Sequence, residues 1–354
     1  MRILHSGTGT ILGAAYLPST PDSVIWGRLP CAEDEPSLEI EAGTVVTIDT
    51  LSHEGILEDQ GRAPIDFFAA HGAEHVLDDA VALAASDVPH SPDTDGPHVV
   101  CKPIRIVGAR RGDVLAISVL ETTPRVPYGV ISNRHGKGAL PDEYPQAGLP
   151  VFSAFASVSD DGHYGRLRRR HGSSDHVQFP LAPFLGIMGV AVPGSARPHS
   201  VPPGRHGGNL DIGLLTTGST LYLPVLVDGA LAYVGDPHFA QGDGEVGLTA
   251  MEASLRVSLK FEVIARKDAV QRFGAAVNPV AENEDLLIPT GLNEDLDLAV
   301  QDCVREAIAL LQSRFGMDPA YAYAYLSAAT DFRISQVVDV IKGVHATIRK
   351  ADFA

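Results

Sequence analysis

The chain has few cysteines and no long apolar run. Its three cysteines, Cys31, Cys101 and Cys303, are far apart and lack CxxC spacing, which argues against a disulfide framework or a thiolate zinc site. No segment approaches the roughly 18 apolar residues of a membrane helix, and "MRILHSGTGTILGAAYLPSTPDS" lacks the charged and apolar regions of a signal peptide. We therefore expect a cytoplasmic protein in a reducing compartment.

Basic residues are also scarce. The 27 Lys+Arg against 44 Asp+Glu give a formal charge of −17, which disfavours binding to nucleic acid or to an anionic membrane. A small neutral or cationic ligand suits such a surface better. The one basic cluster, "RLRRRHGSSDH" at 166–176, is interpreted as charge balance at a surface or subunit contact, with an anion site as the alternative.

Length and composition indicate a folded protein with a large core. The 354 residues are 45% apolar and 20% charged, as in ordinary globular proteins. This length fits two domains or one large β-rich domain. We predict a β-rich half at 1–150 with a helical and loop insertion, and a second β-rich half at 151–354, joined in one catalytic unit.

Alternating apolar residues predict strands separated by glycine turns. The segments 37–52 and 102–124 each show a strand, a Gly turn and a second strand, so we expect two hairpin-like units and leave a duplication open. Segment 219–234 predicts a further hairpin around Asp228-Gly229. The run 255–263 alternates most clearly and predicts a half-exposed strand.

Helical signals lie in the first third and near the end of the chain. Segment 63–86 is a helical insertion, in which His71 and His75 share a face but Gly72 interrupts the helix. We interpret this as a helix end rather than a metal site, and leave open whether 50–100 forms a lid. Asn293 to Gly316 predicts a long helix, Asp318 caps a second, and strand-like residues follow. Mainly β structure with helical insertions and a C-terminal helical segment, α+β overall, is expected.

Potential ligands are concentrated in the stretch "YVGDPHFAQGDGEVGLTAME". It contains Asp236, His238, Asp243, Glu245 and Glu252 beside four glycines. Histidine and carboxylates without cysteine suit a catalytic divalent metal with an open coordination position and a carboxylate that moves protons. Calcium binding, or an acidic hairpin whose aspartates cap their own turns, would also explain this composition.

Longer motifs make the sequence more specific. Segment 204–264 resembles the acetamidase/formamidase family, with an N-G-G-N-L-D-T-like part around "GNLD" and a second part, "GDPHFAQGDGE". The strings "FLGIMGVA", "IWGRLP", "GARRGDVLAISVLE" and "DFRISQVVD" resemble further parts of it. The resemblance covers most of the chain.

The resemblance implies a β-sandwich-rich, metal-dependent hydrolase that converts short linear amides into carboxylate and ammonia. It also implies a homo-oligomer, a dimer or larger. We expect zinc, with calcium or another divalent ion left open. Carried onto this chain, it predicts metal ligands Asp211, His238, Asp236 and His53, catalytic residues Glu245 and Asp243, and substrate-binding residues Asn209 and Gln241.

Two of these assignments have alternatives. Asp236 could orient His238 instead of binding metal, and His53 could cap its loop. The chain also departs from the family pattern at His206, Ile212, Pro237 and Phe239, which predicts a bulkier acyl pocket for larger or cyclic amides. A rival function is a non-catalytic, divalent-metal-binding β-sandwich that recognises a small ligand or a partner protein.

Overall fold

Strands make up most of the regular structure in the computed structural model, which describes residues 3–274 and 278–353. The strands are β1 Ala15–Leu17, β2 Val24–Trp26, β3 Leu38–Glu41, β4 Val45–Asp49, β5 Val99–Cys101, β6 Ile104–Val107, β7 Val114–Pro124, β8 Tyr128–Arg134, β9 Val151–Val158, β10 Tyr164–Arg168, β11 His176–Pro180, β12 Phe184–Val190, β13 Gly207–Asn209, β14 Thr220–Pro224, β15 Ala232–Ala240, β16 Met251–Glu252, β17 Leu255–Ile264, β18 Val280–Glu282, β19 Leu286–Asn293, β20 Asp331–Gln336 and β21 Lys342–Arg349. The helices are α1 Pro64–Ala70, α2 Asp78–Ala84, α3 Arg266–Phe273, α4 Leu296–Phe315 and α5 Pro319–Ala329.

The strands form two large sheets. The first sheet has nine strands in the order β1-β4-β17-β7-β14-β18-β19-β21-β20. The second sheet has twelve strands, eight of which follow the path β11-β10-β9-β8-β16-β15-β12-β13. Of the other four, β5 and β6 each pair with β15, β2 pairs with β5, and β3 pairs with β6. One hydrophobic core contains residues of both sheets and of both predicted halves. The predicted fold class, mainly β with helical parts, is confirmed.

The predicted hairpins are wrong, although their strands and turns exist. In each case the chain leaves one sheet at the glycine turn and enters the other: β3 pairs with β6 in the second sheet, while β4 and β7 flank β17 in the first. The same change of sheet separates β14 from β15. Alternation and a positive-φ glycine such as Gly43, at φ 91°, specify a strand end and a bend but not the next partner strand.

Strand β17 is buried more completely than predicted. It lies between β4 and β7, and its polar residues Arg256 and Ser258 are buried. The Arg256 guanidinium pairs with Asp49 at 2.6 Å, and the Ser258 hydroxyl hydrogen-bonds that of Thr47 at 3.0 Å. These contacts satisfy the polar groups that the alternating pattern would otherwise place in solvent.

The C-terminal helices follow their predicted caps closely. Helix α4 begins after Asp295, whose side chain accepts from the amide of Leu298, so the cap lies two residues beyond the predicted Asn293. It ends at Gly316 with φ 65°, and Asp318 and Pro319 start α5 as predicted. With α3, these helices pack on strands of the first sheet in a second hydrophobic cluster.

The basic cluster and His71 both lie where the sequence predicts them. The basic cluster lies on the largely exposed hairpin of β10 and β11, in agreement with a surface interpretation. His71 follows the last residue of α1 and stacks on Phe155, with ring centroids 5.6 Å apart, so it ends a helix as predicted. No helix among the described residues has the length and apolar character needed to cross a membrane.

Candidate active site

A cleft of about 660 Å³ ends at a buried group of histidines and carboxylates. Asp236 lies at its centre on β15, with His238 two residues further along the same strand. Strand β16 pairs with β15 so that Glu252 lies opposite His238. Nε2 of His238 is 3.1 Å from a carboxylate oxygen of Asp236 and 3.1 Å from one of Glu252. The sheet therefore fixes these three side chains against one another.

The first half of the chain supplies two histidines. His53 follows β4, and His98 immediately precedes β5, which pairs with β15 next to Asp236. Nδ1 of His53 and Nε2 of His98 lie 3.7 and 3.9 Å from Oδ1 of Asp236. The Asp236 carboxylate thus faces His238 through one oxygen and two further histidines through the other.

Three more carboxylates complete the cluster. Asp211 follows β13, Glu245 lies in the loop between β15 and β16, and Asp339 lies in the turn between β20 and β21. The side-chain oxygen of Gln336 accepts from the amides of Val338 and Asp339 and thereby holds that turn. All three carboxylates are nearly buried and line the cleft.

Three of the acidic residues have left-handed backbone conformations. Asp211, Asp236 and Glu245 have φ values of 48°, 53° and 46°. Such values are uncommon outside glycine and cost free energy, so they persist where the surrounding structure imposes them. Sharp bends therefore occur at the functional side chains themselves as well as at a neighbouring glycine, Gly244, with φ 97°.

A glycine leaves room for the cluster. A Cβ at Gly186 of β12 would overlap the side chains of Asp211, Asp236 and His238. The backbone carbonyl of Gly186 also accepts from the amides of Leu210 and Asp211 at 3.0 and 3.3 Å. Gly186 therefore allows three side chains to converge above a strand.

Further side chains orient two of the histidines. Glu54, whose side chain is fully buried, lies 3.5 Å from Nε2 of His53 and accepts from the Ser132 hydroxyl at 2.7 Å. Nδ1 of His238 lies 3.1 Å from the side-chain oxygen of Gln241, whose amide donates to the Asp211 carbonyl at 2.7 Å. In both histidines the remaining nitrogen faces Asp236.

Charge crowding shifts the pKa values in the cluster. Burial, reinforced by neighbouring carboxylates such as Asp236, raises the pKa of Asp211 and that of Glu245 far above their usual values. Burial also raises the pKa of Asp339 to about 7. Burial disfavours a charged His238, but Glu252 and Asp236 outweigh it and raise its pKa. So many acids in one buried space call for a compensating cation.

The donor set fits a divalent metal. Three groups bring ligand atoms within 4.8 Å of one another: His53, His98 and Asp236; Asp211, His238 and Glu245; and Asp236, His238 and Glu252. Several of these atoms are buried without a hydrogen-bond partner in the described structure, including both carboxylate oxygens of Asp211 and Oδ1 of Asp236. Buried polar groups normally have partners, so these orphaned atoms within one buried cluster are consistent with a metal site.

The structure brings most of the predicted site residues together in the cleft, but Gln241 and Asp243 lie outside it. Asn209 lines the cleft with its side-chain oxygen unpartnered. Gln241 contacts His238 and the Asp211 backbone, a supporting position behind the cluster. Asp243 is exposed and pairs with Arg333 at 3.4 Å, outside the cleft. Because it does not face the cluster, Asp243 has no catalytic position here.

Sequence reasoning missed His98, Asp339 and the roles of Glu252 and Glu54. Glu252 closes the ligand-rich stretch, and Asp339 ends the segment "DFRISQVVD", so both carried a local signal. His98 lies in a Pro/Asp/Gly loop and carried none.

The four departures from the family pattern lie outside the cleft. Ile212 and Phe239 belong to the main hydrophobic core, Pro237 is buried and His206 is half-buried. None of the four is among the residues that line the cleft. The predicted bulkier acyl pocket therefore has no basis in these positions.

Comparisons with known proteins identify relatives of this chain. A profile described as the Acetamidase/Formamidase family matches residues 75–197 and 195–349. A formamidase from Methylophilus methylotrophus is 27% identical over 69% of this chain and 74% of its own length. An acetamidase from Mycolicibacterium smegmatis is 26% identical over 52% of this chain and 57% of its own. The crystal structure of an acetamidase from Bacillus halodurans superposes with a TM-score of 0.73 at 25% identity, covering 96% of this chain and 98% of that one.

Proposed function

The chain belongs to the acetamidase/formamidase family, and we propose that it hydrolyses a small linear amide to carboxylate and ammonia at the buried cluster around Asp236. The named relatives, a formamidase and an acetamidase, support amide hydrolysis. The observation that carries the assignment to this cluster is the convergence of unpartnered, buried ligand atoms at the end of the cleft.

We propose Asp211, Asp236 and His238 as metal ligands, with His53, His98 and Glu252 completing the ligand set. A divalent cation held there would act as a Lewis acid that polarises the amide carbonyl and activates water. Zinc as the metal, assembly into an oligomer and a cytoplasmic location remain predictions of the sequence.

Three side chains of the protein would transfer protons, orient the substrate and position a ligand. Glu245 has a pKa raised by burial, so it is suited to take a proton from water and deliver it to the departing nitrogen. The unpartnered side-chain oxygen of Asn209 can accept from the amide nitrogen of the substrate and orient it. Gln241 keeps the His238 ring in position from behind.

Ammonia release from formamide, acetamide and longer amides tests this function. The wild-type protein should release ammonia, and Asp211→Asn should lose most of that activity while remaining folded. Equal rates for the two proteins would assign the hydrolysis to another site or to a contaminant.

A further inference from the structure

The cleft is far larger than the smallest amides require. Its volume of about 660 Å³ lies within the range of roughly 300–1,000 Å³ that accommodates drug-sized ligands. Formamide or acetamide would fill a small part of it, next to the buried cluster. Most of the cleft is therefore available to the part of a substrate beyond its amide group.

Part of the cleft wall outside the cluster is apolar. Leu57, Val201, Leu248, Val338 and Val340 line the cleft together with several prolines. Surfaces of this kind bind a hydrocarbon chain by removing apolar area from water. The substrate body that fits them is aliphatic or aromatic.

Charges towards the mouth are unbalanced in favour of cations. The acidic side chains that line the cleft outside the cluster each have a basic partner: Glu58 with Arg62 at 3.3 Å, Asp59 with Arg134 at 2.5 Å and Asp95 with Arg28 at 2.7 Å. Within 3–274 and 278–353, by contrast, neither Lys137 nor Lys342 has a carboxylate within 4.0 Å. The Lys342 ammonium donates to the backbone carbonyl of Glu294, and Lys137 is exposed.

The two lysines lie on segments close to carboxylates of the cluster. Lys137 lies in the connection after β8, and the amide of nearby Ala139 donates to the carbonyl of Val246, next to Glu245, at 3.0 Å. Lys342 begins β21, three residues beyond Asp339. Both line the cleft, Lys137 as an exposed and Lys342 as a half-buried side chain.

We propose that the substrate is an amide whose apolar acyl chain ends in an anionic group, a carboxylate, which Lys137 and Lys342 bind at the cleft mouth. This inference rests on the proposed function and deepens it. The net charge of −17 instead suggests a neutral or cationic ligand. The proposal differs because the substrate tail faces the local lysines rather than the whole surface.

Matched amides test the proposal. The kcat/KM of ammonia release is measured for the monoamides of glutaric and adipic acids, for pentanamide and hexanamide, and for an amide with a terminal amine. The carboxylated amides should exceed the neutral ones by roughly ten-fold, mainly through a lower KM, and the aminated amide should be poorest. Raising the ionic strength to about 0.5 M should reduce this preference.

Charge removal locates the effect. Lys137→Gln and Lys342→Gln should each lower the ratio of carboxylated to neutral kcat/KM by roughly two- to five-fold. Lys260→Gln is the matched control, because Lys260 pairs with Glu262 at 2.8 Å outside the cleft and its loss should leave the ratio unchanged.

The outcomes separate the two claims. Ammonia release without preference for the carboxylated amides, or a preference that both cleft variants retain, overturns the substrate proposal and leaves amide hydrolysis standing. Absence of ammonia from every amide overturns the proposed function, and the substrate class with it.

Discussion

Oδ2 of Asp236 lies 3.1 Å from Nε2 of His238, which is two residues further along the same strand. Alternate residues of a strand share a face, and Asp236 has a left-handed backbone, with φ 53°, at this point of the strand. One strand therefore presents two adjacent ligands, and β5 and β16, which pair with it, place His98 and Glu252 beside them.

The first prediction concerns the proton-moving carboxylate. Glu245→Gln should lower kcat/KM by roughly 10²- to 10⁴-fold, because the amide cannot take up and return a proton. Bound metal should stay near the wild-type level. Asp243→Asn, two residues away but exposed and paired with Arg333, is the control and should retain most of the activity. The reverse ranking of the two variants would rule out the assigned role of Glu245.

The second prediction concerns the space at Gly186. Gly186→Ala should reduce ammonia release by roughly 10²-fold or more, because its Cβ displaces Asp211, Asp236 and His238. Metal content should fall with it. Gly242→Ala lies in the same region with nothing within 4 Å of its Cβ, so it should behave like wild type. Full activity in Gly186→Ala would mean that the three side chains need not converge.

The third prediction concerns the support of His53. Glu54→Gln should weaken metal binding by roughly 10- to 100-fold, since the carboxylate at 3.5 Å no longer orients the ring. The dissociation constant measured by competition with a chelator reports this effect. Glu58→Gln, on a partly exposed carboxylate nearby, is the control. Unchanged metal affinity in Glu54→Gln would argue against His53 as a metal ligand.

The fourth prediction concerns stability at low pH. Burial disfavours a charged Asp79, but Arg125, at 2.6 Å, and two serine hydroxyls outweigh it and lower its pKa. A lowered folded-state pKa stabilises the fold above the unfolded value of about 3.9 and loses that effect as the pH falls through the folded value. Asp79→Asn should thus cost roughly 3 kcal/mol at pH 7, because the buried Arg125 keeps only Asp49, 3.8 Å away, as a carboxylate partner.

Urea unfolding of wild type and Asp79→Asn across pH tests this linkage. The difference between their free energies of unfolding should shrink below about pH 4. A difference that stays constant down to pH 2 would show that the Asp79 charge is not its source.

Local signals explain which parts of the fold the sequence predicts. Strand β17 and helix α5 were predicted because alternation, an Asp318 cap and a proline at the first turn act over a few residues. Strand partners were not, since the chain can continue in either sheet after a glycine such as Gly43 or Gly229. Pairing depends on contacts distant in sequence.

The same distinction applies to the candidate site. Asp236, His238 and Glu245 lie close in sequence, and their residue types indicate metal chemistry directly. His98 contributes because β5 pairs with β15, a relationship that its own loop does not encode. Asp243 has a suitable side chain in the motif, yet the direction of its loop places it in solvent beside Arg333.

Metal content and ammonia release, measured on the same samples during chelation and metal add-back, test the central claim most directly. The account predicts that activity falls in proportion to bound divalent metal, returns on add-back, and that Asp236→Asn loses both. Undiminished ammonia release from the metal-free protein would contradict it.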